Sequence, residues 1–194
     1  LSQDKKSFEI NFAAGNKQFG KKAAGSPFTV YAPGKYVQEN LRVWSYATEA
    51  GDSITDKWLI ENFENNLYHL CVYGPNGFFR EFKGGNNDPL INVKRAYNKD
   101  KIALKFLNTN TTDKYTIEIT DNAYNAAPKT NILAAATGTN AKETSVIIDT
   151  ANSFGWYDFS VKLKGNNTFE KRYAGRIETG KASKSDPAMG YAAG

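Results

Sequence analysis

Apolar and polar positions alternate with a period of two along much of the chain. Tyr115, Ile117 and Ile119 alternate with Thr116, Glu118 and Thr120; Ile102, Leu104 and Phe106 with Lys101, Ala103 and Lys105; Tyr157, Phe159 and Val161 with Asp158, Ser160 and Lys162. Such alternation predicts strands with one face buried and one face in water. Turn-forming clusters separate these runs: Gly15-Asn16, Pro33-Gly34, Gly51-Asp52, residues 108–113 and Gly165-Asn166-Asn167. Many short strands with frequent turn signals predict a sandwich or a small barrel. The one stretch with a helical pattern is short, over residues 56–65.

The pattern occurs twice. Residues 66–72 (NLYHLCV) match residues 155–161 (GWYDFSV), and residues 78–84 (FFREFKG) match residues 169–175 (FEKRYAG). Phe28-Thr29-Val30 falls opposite Tyr115-Thr116-Ile117, Gly51 opposite Gly138, and Tyr68 opposite Tyr157, at offsets of 87, 87 and 89. Chance matches would scatter, so the near-constant offset indicates duplication. Two copies make tandem domains, whereas a solenoid needs about three or more repeats. The expectation is an all-β chain of two tandem small antiparallel β-sandwich domains, immunoglobulin-like or similar. The first spans 1–85, a linker 86–89, the second 90–180, and a flexible tail 181–194. The boundary rests on Gly84-Gly85-Asn86-Asn87-Asp88-Pro89, turn-rich and ended by a proline that pushes Asp88 toward extended geometry. Each copy is large enough for a single core.

Each copy ends in strand, tight turn, strand. Asn76-Gly77 suits a two-residue turn whose central residues need positive φ, and Pro75 belongs at a strand end because it donates no ladder hydrogen bond. Phe78/Phe82 and Phe169/Tyr173 read as core. Strict alternation then turns Arg80 and Lys171 inward, which calls for a bulge or a partnering carboxylate.

Composition narrows the chemistry. The 194 residues include one His and one Cys, which excludes an internal disulfide, a cysteine zinc cluster and a multi-histidine metal site. Forty per cent apolar residues with 26 aromatics supply a core. No segment approaches the ~18 apolar residues of a membrane span. The start, Leu1-Ser2-Gln3-Asp4-Lys5-Lys6, has neither the form of a signal peptide nor an initial Met, so a mature chain or a fragment of something longer is expected. Residues 1–88 hold 10 basic and 10 acidic side chains; residues 89–194 hold 15 and 10, so the whole net charge of +5 lies in the second half. A basic face attracts anionic lipid or an acidic partner. No Lys/Arg block or nucleic-acid motif occurs, so nucleic acid is not an expected partner.

His69 and Cys71 are two apart on a strand and share a face. No third His or Cys completes a metal site, and their counterparts in the second copy are Asp158 and Ser160; no metal, cofactor or catalytic residue is expected. Carboxylates at Asp52, Asp56, Glu61, Glu64, Asp121, Asp149 and Glu178 are scattered, and spacing selects no acid–base pair. Asn110-Thr111-Thr112 and Asn166-Asn167-Thr168 fit the glycosylation sequon. The candidate surface-binding residues are the aromatics Trp44, Tyr46 and Trp156 with the basic Lys162, Lys164 and Arg176, placed to stack on a sugar or sit at a lipid headgroup layer. The ordinary reading of Trp44, Tyr46, Trp58 and Trp156 alike is core.

Three segments carry a family resemblance: residues 45–58 (SYATEAGDSITDKW); residues 68–84, with Gly74-Pro75-Asn76-Gly77-Phe78; and residues 157–190, with Ala174-Gly175-Arg176-Ile177-Glu178-Thr179-Gly180 and Ser185-Asp186-Pro187. Together they resemble the tandem C-terminal domains of bacterial phosphocholine-preferring, non-specific phospholipases C. The resemblance implies a secreted or periplasmic parent enzyme whose N-terminal phosphoesterase region holds the metal and the catalytic residues. It implies that this chain is the accessory part, packing on the phosphoesterase domain of the same parent chain and aiding lipid presentation. The alternatives are a module binding lipid headgroups or glycans, and an independent carboxylate-based hydrolase, which nothing in the sequence selects.

Overall fold

The computed structural model describes residues 1–190. The protein is all-β, and its contacts group it into two compact units: Leu1–Pro89 with Asn166–Arg172, and Leu90–Gly165 with Tyr173–Gly194.

The first unit contains β1 (Ser7–Ala13), β2 (Ser26–Tyr31), β3 (Lys35–Tyr36), β4 (Glu39–Asn40), β5 (Val43–Thr48), β6 (Ser53–Leu59), β7 (Leu67–Tyr73) and β8 (Phe79–Gly85). One sheet pairs β1 with β6, and the other runs β5-β2-β7-β8, with antiparallel pairing. Alternate residues of both sheets meet in one core: Phe8, Ile10 and Phe12 from β1, Trp58 from β6, Phe28 and Val30 from β2, and Tyr68, Leu70 and Val72 from β7. This is a sandwich by the ordinary logic of two half-buried sheets. The expected helix over 56–65 is absent. Trp58 lies opposite Phe8 in the β1–β6 ladder, so the segment begins as strand. It continues as two 3₁₀ turns, Ile60–Asn62 and Glu64–Asn66, parted by extended Phe63 and ended by Asn65 and Asn66 at positive φ. Burial of Trp58, Ile60 and Phe63 outweighs a weak helical preference.

The second unit contains β9 (Ile91–Asn98), β10 (Lys101–Asn108), β11 (Tyr115–Asp121), β12 (Lys129–Leu133), β13 (Lys142–Asp149), β14 (Trp156–Leu163) and the later part of β15 (Asn166–Arg176). One sheet runs β9-β10-β13 and the other β12-β11-β14-β15. Ile102, Leu104, Phe106, Ile117, Ile119, Phe159 and Val161 are buried, as their alternation requires.

The β7–β8 turn has Asn76 and Gly77 both at positive φ, with the Phe78 amide donating to the Pro75 carbonyl at 3.1 Å. In the second copy the turn lies one step earlier than its Gly-Asn-Asn signal, with Gly165 at positive φ and Asn166 already in β15. Arg80 does turn inward, only 3% exposed. Its guanidinium lies 4.0 Å from the Phe78 ring centroid and donates to the Phe79 carbonyl at 2.6 Å.

The glycine-rich boundary is ordered. Gly84 and Gly85 end β8, and Asp88 is 1% exposed. Its carboxylate accepts from the Gly85 amide at 2.8 Å and from the Thr168 hydroxyl at 2.7 Å. Any side chain at Gly84 would strike Tyr68 and Asp88. In the segment expected as a tail, the Lys184 carbonyl accepts from Trp156 Nε1 at 3.1 Å and Asp186 accepts from the Tyr124 hydroxyl at 3.0 Å. Its last four residues, 191–194, lie outside the described residues.

Candidate functional site

The sequence-derived candidates divide between the two units. In the first, Trp44 and Tyr46 stand on β5 and are half-buried against the core. Trp44 meets Trp58 edge-on at 5.6 Å, and Tyr46 stacks on Phe12 at 4.5 Å while its hydroxyl donates to Asp56. Burial first, then the Asp56 carboxylate, push the Tyr46 phenol well above its ordinary range. These rings chiefly extend the core.

Exposed apolar residues occur at and just after the β3–β4 hairpin. Val37, Leu41 and Val43 are 50%, 60% and 57% exposed. Val37 and Leu41 both hold positive φ, 58° and 56°, a left-handed conformation that costs a non-glycine residue roughly 1–2 kcal/mol. Arg42 lies over the flanking Tyr36 and Trp44 rings at 5.7 and 5.6 Å. Val37 in the β3–β4 turn and Leu41 just after β4 thus expose aliphatic side chains on strained backbone, and Val43 adds a third at the start of β5, next to Arg42.

In the second unit, Trp156 and Arg176 come together, the guanidinium 6.0 Å from the indole centroid. Trp156 also lines a cavity of about 140 Å³ with Tyr124, Asp121, Asp149, Asp158 and Lys129. That is below the roughly 300–1,000 Å³ of drug-sized ligand sites. Three carboxylates and one lysine line the cavity, with Arg176 on the Trp156 ring beside it. Lys162 and Lys164 are exposed; Lys162 stands opposite Glu118 in the β11–β14 ladder.

The structure adds Glu81 to the His69 and Cys71 pair that the sequence places on one face. On the outer face of β7–β8, Cys71 stands directly opposite Glu81 and His69 opposite Lys83. His69 Nε2 is 2.6 Å from Glu81 Oε1, and Cys71 Sγ is 3.7 Å from His69 Nε2 and 3.9 Å from the same carboxylate oxygen. Lys83 Nζ lies 3.0 Å from Glu81 and 3.6 Å from Glu170. Burial, then the Glu81 charge, push the Cys71 thiol up to about 12. Burial raises the Glu81 carboxyl, but hydrogen bonds from Lys83 and His69 outweigh it and leave that group below its ordinary value. The signal that finds this site is strand register: the β7–β8 ladder pairs Tyr73 with Phe79, and so seats Glu81 opposite Cys71.

The architecture defines a class: a duplicated pair of antiparallel β-sandwich units. The family model described as "Bacterial phospholipase C, C-terminal domain" matches residues 1–85 and again 89–176, and the chain belongs to that family. It is 34% identical over 158 residues to a non-hemolytic phospholipase C of Burkholderia pseudomallei, covering 77% of this chain and 21% of that protein. It is 31% identical over 148 residues to a non-hemolytic phospholipase C of Pseudomonas aeruginosa, covering 69% and 20%. A hemolytic phospholipase C of the same organism is 28% identical over 137 residues, covering 66% and 18%. The chain therefore spans about a fifth of the length of these relatives. Among the described residues, no helix is long and apolar enough to cross a membrane.

Proposed function

We propose that this chain is a non-catalytic accessory region of an exported phospholipase C, packing on the phosphoesterase domain of its parent enzyme and aiding presentation of lipid to it. The observation that carries this reading is the double match: each half fits the C-terminal domain, while the whole aligns with about a fifth of each relative. The pure 194-residue chain is expected to release no product from a choline phospholipid. Deleting the region from the parent enzyme is expected to lower turnover of vesicle lipid more than turnover of a short, dispersed phosphodiester. Activity of the isolated chain, or equal losses on both substrates, overturns the reading.

A second reading, direct contact with a lipid surface, is favoured by the β3–β4 tip. An aliphatic side chain gains about 1.5–3 kcal/mol on full burial, so three half-exposed ones supply enough for weak, reversible attachment. Co-sedimentation with phosphatidylcholine vesicles should be insensitive to salt and lost in the double variant Val37→Ser/Leu41→Ser. Binding to anionic vesicles that fades with salt and survives that variant moves the contact to the basic residues Lys162 and Lys164. No binding to either vesicle leaves only the packing role.

A further inference from the structure

We propose that His69, Cys71 and Glu81 form a site for a single zinc-type divalent transition-metal ion on the outer face of the first unit. Their ligand atoms all lie within 4.8 Å of one another, and among the described residues this is the group of metal-binding side chains that converges. A tetrahedral zinc centre has Zn–S near 2.3 Å and Zn–N and Zn–O near 2.0–2.1 Å, which sets ligand atoms about 3.3–3.6 Å apart. The sulfur already lies 3.7 Å from the imidazole nitrogen and 3.9 Å from the carboxylate oxygen. Only the His69–Glu81 pair, joined at 2.6 Å, must open, by roughly 0.7 Å, as the ion takes the place of their shared proton. The thiol proton leaves to solvent as the metal–sulfur bond forms.

The donor set is borderline-soft: one sulfur, one imidazole and one carboxylate. It selects zinc-type ions over magnesium or calcium, which take oxygen ligands. All three ligands sit on two paired strands inside one sheet, so their backbone is fixed before the ion arrives. The His69 side chain is 33% exposed and that of Glu81 12%, which leaves an entry path and a position for water. Lys83 competes for Glu81, but it also contacts Glu170 at 3.6 Å and keeps a carboxylate when the ion displaces it. The second copy gives an internal comparison. There Asp158 and Ser160 occupy the two β14 positions, bonded to Asn122 at 2.8 and 3.2 Å; Arg172, the counterpart of Glu81 in sequence, belongs to the first unit and lies 5.5 Å from the Phe79 ring centroid. The duplication thus yields one copy with a complete donor set and one without.

Cobalt(II) is the probe. The metal-free, reduced and untagged 194-residue chain is titrated with Co²⁺, and the thiolate-to-cobalt charge-transfer band in the near ultraviolet is followed. The chain has one cysteine, so the band reports Cys71 alone. The expected result is saturation at one equivalent, displacement by Zn²⁺, and a thermal midpoint raised by Zn²⁺ through mass action. His69→Gln and Glu81→Gln should each weaken cobalt binding at least tenfold and abolish the zinc-dependent midpoint shift. Both alter partly exposed side chains, so they decide the matter even if Cys71→Ser fails to fold. Absence of the band at several equivalents, or a band unchanged in both variants, overturns the proposal.

Discussion

Tyr46 shows what a single side chain contributes that its neighbours in sequence do not reveal. Its ring stacks on Phe12 and its hydroxyl donates to Asp56, and its phenol is held above the ordinary value of 10.0. Tyr124 is raised in the same way, by burial and by Asp186. A phenol raised in the folded state leaves stability intact below pH 10. That stability is lost as pH rises, because the unfolded chain ionises first. The urea midpoint should therefore fall between pH 9 and pH 11, and Tyr46→Phe should flatten that fall. Asp88 is the second case. It was read as part of a linker, yet it is buried and accepts from Gly85 and Thr168. Asp88→Ala leaves those donors unsatisfied and should cost about 1–3 kcal/mol in urea unfolding. Composition cannot distinguish an exposed Gly-Asn-Asp run from one folded around a buried carboxylate, since both use the same turn formers. Glu81 was equally illegible: only the register that seats it opposite Cys71 makes it a neighbour.

Single elements were legible where one face is buried. β10, β11 and β14 follow their alternation closely, and the Asn76-Gly77 turn follows from the backbone freedom those two residues have. The β3–β4 hairpin was not legible, because its positive φ values fall on Val37 and Leu41 rather than on the nearby Asn40. Turn chemistry favours Asn at such positions. Leu41→Asn should then raise stability by about 1 kcal/mol and weaken vesicle binding, measured by urea midpoint and co-sedimentation. A variant less stable than the parent chain would show that Leu41 is held by packing and not under strain. The short helical expectation failed for a related reason: Trp58 joins the β1–β6 ladder, and cross-strand burial decides the backbone there.

Across the whole molecule, the duplication was legible from landmarks at near-constant offset, and the family followed from the motifs that carry it. The assignment of residues 166–172 to the first unit was not, because they follow the second copy's own turn in the chain. Thr168 satisfies Asp88, and Glu170 meets Lys83; both contacts belong to the first unit. A fragment of residues 1–89 lacks them. It should unfold at a lower urea concentration than the first unit does within the full chain, with Trp58 fluorescence as the reporter in variants lacking the other tryptophans. An unchanged midpoint would mean that the 166–172 contacts add nothing measurable.

That shared strand also bears on how the pair can evolve. A freshly duplicated sandwich can lose either copy by a simple deletion. Here, deleting everything after residue 89 would remove Thr168 and Glu170, which complete the first unit, so the second copy is not shed without loss to the first.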